Sequence, residues 1–278
     1  MSSKTLGLAL GGGAARGLSH IVVLEVLDEL GVKPAFIAGA SIGALIGSAY
    51  ASGLCAVDIR EHTLSVLGNP RTAARRIFMD LESGLGNLVS IAPSRPVLLN
   101  GLGLVRLVTP KGVAKRIEQT AIPFVVCATD FYEASEVVLD SGDLESAVAA
   151  SISIPGIIQA PALDGRLLID GGFCNPVPIN HVRARKCAIV MGVNVTGRPV
   201  RKPKNVHAGR AELLLGAIQI SHQQITRLQC ERVKPDIMVV PDINRFGAHD
   251  FFKVRDILAA AQSLREPLKR QLAALLSA

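Results

Sequence analysis

The sequence contains no tryptophan among its 278 residues, and aromatic residues make up only 4% of it. Proteins that hold single-stranded nucleic acid combine basic side chains with aromatic stacking platforms. No aromatic residues are interleaved with the basic clusters here, so the sequence disfavours nucleic acid as a partner. The formal net charge of +7 then suits a phospholipid surface, while a solvated protein surface explains each cluster equally simply. The clusters are Arg71, Arg75, Arg76, Arg95 and Arg106, followed by Arg183, Arg185, Lys186 and the stretch 198–204.

Long apolar runs are also missing. A membrane-spanning helix needs roughly 18 uninterrupted apolar residues, and the most apolar window, around residues 35–50, is broken by glycines and serines. The apolar run of residues 5–10 is too short for the core of a signal peptide. We therefore expect a cytoplasmic protein without transmembrane helices, and peripheral contact with the inner membrane face is compatible with its charge.

Cysteines are few and scattered. The five occur at Cys55, Cys127, Cys174, Cys187 and Cys230, without C-x-x-C spacing. This pattern predicts reduced thiols and indicates neither a disulfide framework nor a zinc site. No metal and no cofactor are expected.

The chain is long enough for one domain with a large core, because 49% of its residues are hydrophobic. We predict a single domain over residues 1–278. Within it, a cap or lid is predicted at about 58–105, where a basic stretch rich in glycine, proline and serine carries several apolar residues. Ordinary packing would explain those apolar residues as well as contact with a lipid interface.

A serine stands at a predicted strand–turn–helix junction. An apolar run enters Gly39-Ala40-Ser41-Ile42-Gly43, and good helix formers follow to residue 51. In such a G-x-S-x-G elbow the two glycines avoid collisions between strand and helix, and the serine hydroxyl is lifted into a pocket. The amide of Ile42 would then point at whatever Ser41 attacks. A buried helix N-cap is the alternative interpretation of Ser41.

A glycine loop follows the first predicted strand, residues 5–10. Gly11-Gly12-Gly13 leads into a predicted helix at residues 18–30. Arg16 stands where a dinucleotide fingerprint has its last glycine, and the lysine of a P-loop is missing. The alternative to a phosphate cradle is a nest of backbone amides from Gly11 to Ala14 that binds an oxyanion. Since residues 34–38 predict a parallel neighbouring strand, a right-handed crossover would bring this loop and Ser41 to the same sheet edge.

The second half of the chain predicts further α/β structure. Strands are expected at residues 123–128, 136–139, 166–169, 188–195 and 237–240, and helices at residues 57–66, 105–119, 144–151, 211–232 and 254–276, the last bent near Pro267. The third of these strands delivers Asp170 into Gly171-Gly172, which is also a common turn-capping arrangement. No histidine has the setting of a catalytic base, although His181 and His249 are candidates.

Four motifs in order resemble the patatin-like phospholipases, in particular the bacterial neuropathy-target-esterase-like branch. They are residues 11–20 (GGGAARGLSH), 39–43 (GASIG), 151–156 (SISIPG), and 170–172 (DGG) followed by 175–178 (NPVP). The resemblance covers residues 5–180 and implies a three-layer α/β/α patatin-like fold with a mainly parallel central sheet. One departure is Ala14, where relatives often have glycine.

The resemblance implies a Ser-Asp dyad without histidine. Ser41 would be the nucleophile, Asp170 the base, and the amides of Gly11, Gly12 and Gly13 the oxyanion donors. Arg16 would hold the glycine loop through backbone carbonyls, with a phosphate head group as its alternative partner. Gly39, Gly43, Ile42, Gly171 and Gly172 would support these residues.

The resulting hypothesis is a serine acyl hydrolase that cleaves carboxylic esters of lipids, of phospholipase A or lysophospholipase type, through an acyl-enzyme. The alternatives are a general carboxylesterase or acyltransferase, and a non-catalytic membrane-associated module.

Overall fold

A computed structural model describes residues 4–69, 89–90, 98–200 and 209–277 of the chain. Its strands are β1 (Leu6–Leu10), β2 (Phe36–Ala40), β3 (Val89–Ser90), β4 (Leu98–Asn100), β5 (Phe124–Asp130), β6 (Ser135–Leu139), β7 (Ile158–Gln159), β8 (Ala162–Leu163), β9 (Arg166–Asp170), β10 (Ile189–Val193) and β11 (Ile237–Val239). Its α-helices are α1 (His20–Glu29), α2 (Ile42–Ala51), α3 (Ala56–Leu67), α4 (Gly101–Val108), α5 (Leu144–Ser151), α6 (Ile179–Ala184), α7 (Arg210–Val233), α8 (Val254–Ala261) and α9 (Arg265–Ser277). Short 3₁₀ helices occur at Ala14–Ser19, Ile117–Gln119, Gly171–Phe173, Phe251–Lys253 and Gln262–Leu264.

Eight of these strands form the central sheet, in the order β11-β10-β1-β2-β5-β9-β8, with β6 on β5 as well. The five strands from β11 to β5 are parallel, whereas β6 and β9 run antiparallel to β5. A small second sheet contains β3, β4 and β7. The mainly parallel sheet predicted from the sequence is confirmed.

The core strands are apolar throughout because both faces of the sheet are covered. β1, β2 and β10 are buried at every position, as expected for parallel strands between two helical layers. On one face, leucines of β1 pack with α1, α2, α5, α8 and α9. On the other face, small residues such as Ala9 and Ala38 pack with α6. The three-layer α/β/α prediction is thus confirmed.

The register of β5 explains how distant parts of the chain meet. Cys127 pairs with both β2 and β6, and Ala128 pairs with both β6 and β9. Since a strand has only two edges, β2 and β9 lie along the same edge of β5. β2 is parallel to β5 and β9 is antiparallel, so the carboxyl ends of β2 and β9 point toward each other.

Two helix predictions were wrong. The helix predicted at residues 105–119 is replaced by α4, which ends at Val108, because Pro110 and Gly112, the latter with φ +93°, cannot continue it. The closing helix breaks at Gln262–Leu264, between α8 and α9. Pro267 lies in the first turn of α9, where its missing N–H costs no helical hydrogen bond.

The predicted cap at 58–105 falls largely outside the described residues. Its first part is α3, where Ile59 and Val66 are buried, and its last part is β4 and the start of α4, where Gly101 and Val105 are buried. Residues 70–88 and 91–97 are not among those that the structure describes, so the lid stays a prediction.

Close approach of α6 to β1 supplies a test of this packing. A Cβ added to Gly7 would lie 2.3 Å from Cγ1 of Val182 and 2.7 Å from the Cys187 sulfur. We expect Gly7→Ala to lower the free energy of unfolding by about 1–3 kcal/mol through overpacking. The double variant Gly7→Ala/Val182→Ala should lose less stability than the sum of the losses in the two single variants. Urea unfolding measures both. Gly209→Ala is the control, because no atom of the described residues lies within 4 Å of its added Cβ. A harmless Gly7→Ala would contradict the packing.

Candidate active site

Ser41 sits in a strained conformation at the junction of β2 and α2. Its φ and ψ are 54° and −127°, a region that non-glycine residues rarely adopt. An added Cβ at Gly43 would lie 2.1 Å from the carbonyl oxygen of Leu10, and one at Gly39 would lie 2.6 Å from Cα of Ala44. The glycines therefore allow the sharp turn, as the elbow motif predicts.

The Ser41 side chain does not cap α2. Its Oγ donates instead to Oδ2 of Asp170, at 2.5 Å, while its amide donates to Oγ of Ser151 at 2.8 Å. Ser41 and Asp170 are 6% and 4% exposed. The structure thus brings together the hydroxyl and the carboxylate that the sequence predicts as partners.

Asp170 ends β9, opposite Ala128 of β5. Its Oδ1 accepts from the amide of Gly172 at 2.7 Å, so the carboxylate caps the following turn with one oxygen and meets Ser41 with the other. An added Cβ at Gly171 would lie 2.0 Å from the carbonyl oxygen of Cys127. Only glycine fits at this crossing of backbones.

Burial raises the pKa of Asp170 to about 6, although the hydrogen bonds from Ser41 and Gly172 act in the opposite direction. Loss of hydration disfavours the charged form of a carboxyl group. A carboxylate with a raised pKa is a stronger base than an ordinary aspartate, and it is still largely ionised at neutral pH.

The glycine loop differs from its prediction. The amide of Gly11 donates to the carbonyl of Val193 at 3.0 Å, and that of Gly12 to the carbonyl of Pro176 at 2.9 Å. Both are therefore occupied, and the prediction of Gly11 and Gly12 as oxyanion donors was wrong in this respect. The amides of Gly13 and Ala14 have no acceptor within the described parts of the chain. Ala14 has φ +51°, a strained conformation for a residue with a side chain.

The loop still lies against the serine, as the predicted crossover requires. An added Cβ at Gly12 would be 3.1 Å from Cβ of Ser41. Gly13, Ala14, Ser41 and Asp170 line one pocket, so an oxygen bound by the free amides would lie beside the hydroxyl. The amide of Ile42, the first of α2, also has no acceptor among the residues described.

Arg16 is buried and satisfied by carbonyl groups. It donates to Val195 (3.2 Å), Phe246 (3.1 Å) and Thr196. With its amide oxygen turned toward the guanidinium, Gln219 accepts from Nη1 and Nη2 at 2.8 and 2.5 Å. Desolvation lowers the pKa of Arg16 to about 10. These contacts leave no donor directed at a phosphate group, which favours the loop-holding role over the head-group alternative.

Two histidines near the site are not among the predicted site residues. His20 is fully buried and donates from Nε2 to the carbonyl of Gly11 at 2.8 Å. His222 of α7 lines the pocket and contacts Phe173 edge to face. Burial lowers the pKa of both to about 4, so both are neutral at pH 7. The position of His222 in a predicted helix could have indicated a buried side chain, but not a place in the pocket.

None of the histidines forms a triad with Asp170 within the described residues. His181 bonds Glu136 at 2.8 Å, and the side chain of His249 is 83% exposed. His222 lies near Gly172, but its Nε2 has no hydrogen-bond partner in the part of the chain that the structure describes. The hydrogen-bond partners of the Asp170 carboxylate are Ser41 and Gly172.

Asp170 should make the protein less stable as the pH rises. Its folded-state pKa of about 6 lies above the ordinary value of 3.8. The folded state thus binds the proton more tightly, and its stabilisation by that proton is lost as the pH rises from about 4 to 6. We expect Asp170→Asn, measured by urea unfolding at pH 7.5, to be more stable than wild type by on the order of 3 kcal/mol. The difference should shrink toward zero near pH 4, and a gap that does not change with pH would contradict the raised pKa.

Comparison with known proteins places the chain among proteins of one family. The family model for patatin-like phospholipase matches residues 8–183. An NTE family protein of Mycobacterium tuberculosis is 34% identical over 196 residues, which is 70% of this chain and 50% of the relative. Lysophospholipase NTE1 of Kluyveromyces lactis is 29% identical over 203 residues, 73% of this chain and 13% of the relative. The chain thus spans half or less of the length of these relatives.

Among solved structures, VipD from Legionella pneumophila is similar, with 14% identity and a TM-score of 0.49 over 96% of this chain and 67% of that chain. Within the described residues no helix is both long and apolar enough to cross a membrane. The family match covers both the loop beside Ser41 and the turn at Asp170. Because the family model matches residues 8–183, more than half of its length, the chain belongs to the patatin-like phospholipase family.

Proposed function

We propose that the protein is a lipid acyl hydrolase in which Ser41 is the nucleophile and Asp170 the general base. The 2.5 Å hydrogen bond between Ser41 Oγ and Asp170 Oδ2, inside a pocket shared with unoccupied amides, carries this proposal. The names of the relatives, phospholipase and lysophospholipase, support a lipid ester as the substrate class.

In the proposed reaction, Asp170 Oδ2 takes the Ser41 proton while Oγ attacks the ester carbonyl carbon. The carbonyl oxygen gains the negative charge, and the amides of Gly13 and Ala14 stabilise it by hydrogen bonds, worth about 3 kcal/mol each in such sites. Asp170 then returns the proton to the leaving alcohol as the C–O bond breaks, which leaves an acyl group on Ser41.

Water completes the cycle. Asp170 removes a proton from a water molecule that attacks the acyl carbon, and the fatty acid leaves as Ser41 regains its proton. Throughout both half-reactions the Gly172 amide holds Oδ1, so Oδ2 is the oxygen that carries the proton. An acyltransferase would differ only in replacing water by another alcohol.

If Ser41 and Asp170 act as nucleophile and base, replacing either residue should lower the rate of hydrolysis, but only the loss of Ser41 should remove the site of covalent labelling. Ser41→Ala should abolish both hydrolysis of a p-nitrophenyl acyl ester and covalent labelling by a fluorophosphonate. Asp170→Asn should retain Ser41 but lower kcat by about 10²–10⁴-fold, the usual contribution of a general base. Ser151→Val, which removes the acceptor for the Ser41 amide, is a useful intermediate case with a smaller loss.

Hydrolysis that survives in Ser41→Ala would rule out this serine as nucleophile. A wild-type protein that neither hydrolyses esters nor reacts with fluorophosphonate, yet binds liposomes, would favour the non-catalytic module. Loss of turnover in His222→Ala with full activity in Asp170→Asn would instead indicate a histidine base.

Arg16 supplies a second test, because its proposed role is to hold the loop through carbonyl groups. Lysine cannot reproduce the three directions in which the guanidinium donates. We expect Arg16→Lys to lower kcat on a neutral p-nitrophenyl ester and on a phospholipid by the same factor, and to reduce stability by about 1–3 kcal/mol. Selective loss of phospholipid hydrolysis, with the neutral ester unaffected, would assign Arg16 to the head group instead.

A further inference from the structure

Helix α7 distributes its side chains unusually. Of its positions whose side chains the structure describes, the buried ones are Gly216, His222 and Thr226, so none carries a large apolar group. Buried polar atoms on this inner side, including His222 Nε2 and Thr226 Oγ1, have no partner within the described residues. A helix of a soluble protein ordinarily buries its apolar stripe and exposes its polar one.

Large apolar side chains of α7 face outward instead. Leu213 and Leu214 are each 61% exposed, and Ile220 is 54% exposed. The exposed Ala217 lies between them in the sequence. Leu213, Leu214, Ala217 and Ile220 are separated by 1, 3 and 3 residues, so they lie on one face of the first three turns of the helix. We name Leu213, Leu214, Ala217 and Ile220 the outer face of α7. Contiguous exposed apolar residues of this kind mark interaction sites.

The opposite side of this part of α7 lines the pocket. Leu215, Ile218, Gln219 and His222 line the pocket that contains Ser41. The outer face therefore lies directly across the helix from the reacting groups. A partner on this face would be held next to the site rather than at a remote surface.

Charge identifies the partner. Between residues 194 and 230 the sequence has six lysines and arginines but only one acid, Glu212. Exposed Arg210 opens α7, and exposed Arg198 is beside Pro199, which packs against Gly216 of the helix. Apolar residues flanked by cations suit an anionic lipid surface. A second copy suits them poorly, because a two-fold interface would bring the same cationic edges together.

We propose that the outer face of α7, with Arg198 and Arg210 at its edge, docks on an anionic lipid surface and so holds the pocket, on the other side of the helix, close to lipid esters. This inference rests on the proposed function for the choice of lipid, but binding is measured separately from hydrolysis. Leu213, Leu214 and Ile220 enter the acyl boundary, while the two arginines meet lipid phosphates.

The test uses the Ser41→Ala protein, so that no lipid is consumed. Co-sedimentation is measured with vesicles of phosphatidylcholine alone and vesicles mixed with phosphatidylglycerol. We expect binding to the mixed vesicles, reduced about tenfold or more by Leu213→Gln/Leu214→Gln. Arg198→Gln/Arg210→Gln should remove most of the preference for phosphatidylglycerol and the sensitivity of binding to salt.

Leu30→Gln/Val57→Gln is the matched control. Both residues are exposed apolar positions at the opposite edge of the sheet, because α1 ends and α3 begins there. This control should bind vesicles like the parent. Equal binding by Leu213→Gln/Leu214→Gln, or an equal loss in the control, would overturn the docking surface. The docking surface would also be overturned if the parent protein bound no vesicles and instead formed a dimer that Leu213→Gln/Leu214→Gln dissociates.

Hydrolysis of a short, soluble p-nitrophenyl ester separates the two proposals. With Ser41 intact, Leu213→Gln/Leu214→Gln should hydrolyse it at the wild-type rate, because neither side chain lines the pocket. If the wild type hydrolyses the ester but the two leucine substitutions leave vesicle binding unchanged, only the docking surface is ruled out. If the wild type does not hydrolyse esters but the Leu213→Gln/Leu214→Gln variant loses vesicle binding, only the proposed hydrolase is ruled out.

Discussion

The site depends on two strands that approach each other end to end along one edge of β5. β2 pairs with the first half of β5 in parallel, and β9 pairs with the second half in the antiparallel direction. Their last residues lie opposite Cys127 and Ala128, which are neighbours in sequence. Any shift in either register would move Ser41 or Asp170 away from the other, so the backbone ladder itself sets the contact between hydroxyl and carboxylate.

The surroundings of this contact are built from backbone rather than from charged side chains. Ser41 is tied through Ser151 to the carbonyl of Cys127, and the glycine loop is tied by its own amides, by His20 and by Arg16. No cation bonds to Asp170 within the described chain, so only the hydrogen bonds from Ser41 and Gly172 offset the effect of burial on its pKa, and they do so in part. This is how the same residues that fix the geometry also make the carboxylate more basic, at the expense of stability at neutral pH.

Much of this architecture could be predicted from the sequence. Apolar runs gave the buried strands, and glycine at each junction gave the three turns, because only a residue without a side chain tolerates the backbone contacts at Gly43 and Gly171. The antiparallel direction of β9 could not be predicted, since the alternation of its residues is the same in either direction. Nor could the occupied amides of Gly11 and Gly12, whose acceptors at Pro176 and Val193 are more than 160 residues away.

The role of the inner side of α7 in lining the pocket could not be predicted either. Its sequence predicts a helix, but His222 and Gln219 are ordinary polar residues until the fold places them over the pocket. Position in space, rather than residue type, gives them their contact with the site. The exposed leucines of the same helix were likewise indistinguishable from core residues in a sequence where half the positions are hydrophobic.

The central claim is that a buried, basic Asp170 activates Ser41. The most direct measurement is the rate of fluorophosphonate labelling of Ser41 across pH 4 to 9, in wild type and in Asp170→Asn. The wild-type labelling rate should rise with pH through an inflection near 6, the pKa of Asp170. In Asp170→Asn this inflection should disappear and labelling should be slow at every pH. An identical pH profile in both proteins would contradict the central claim.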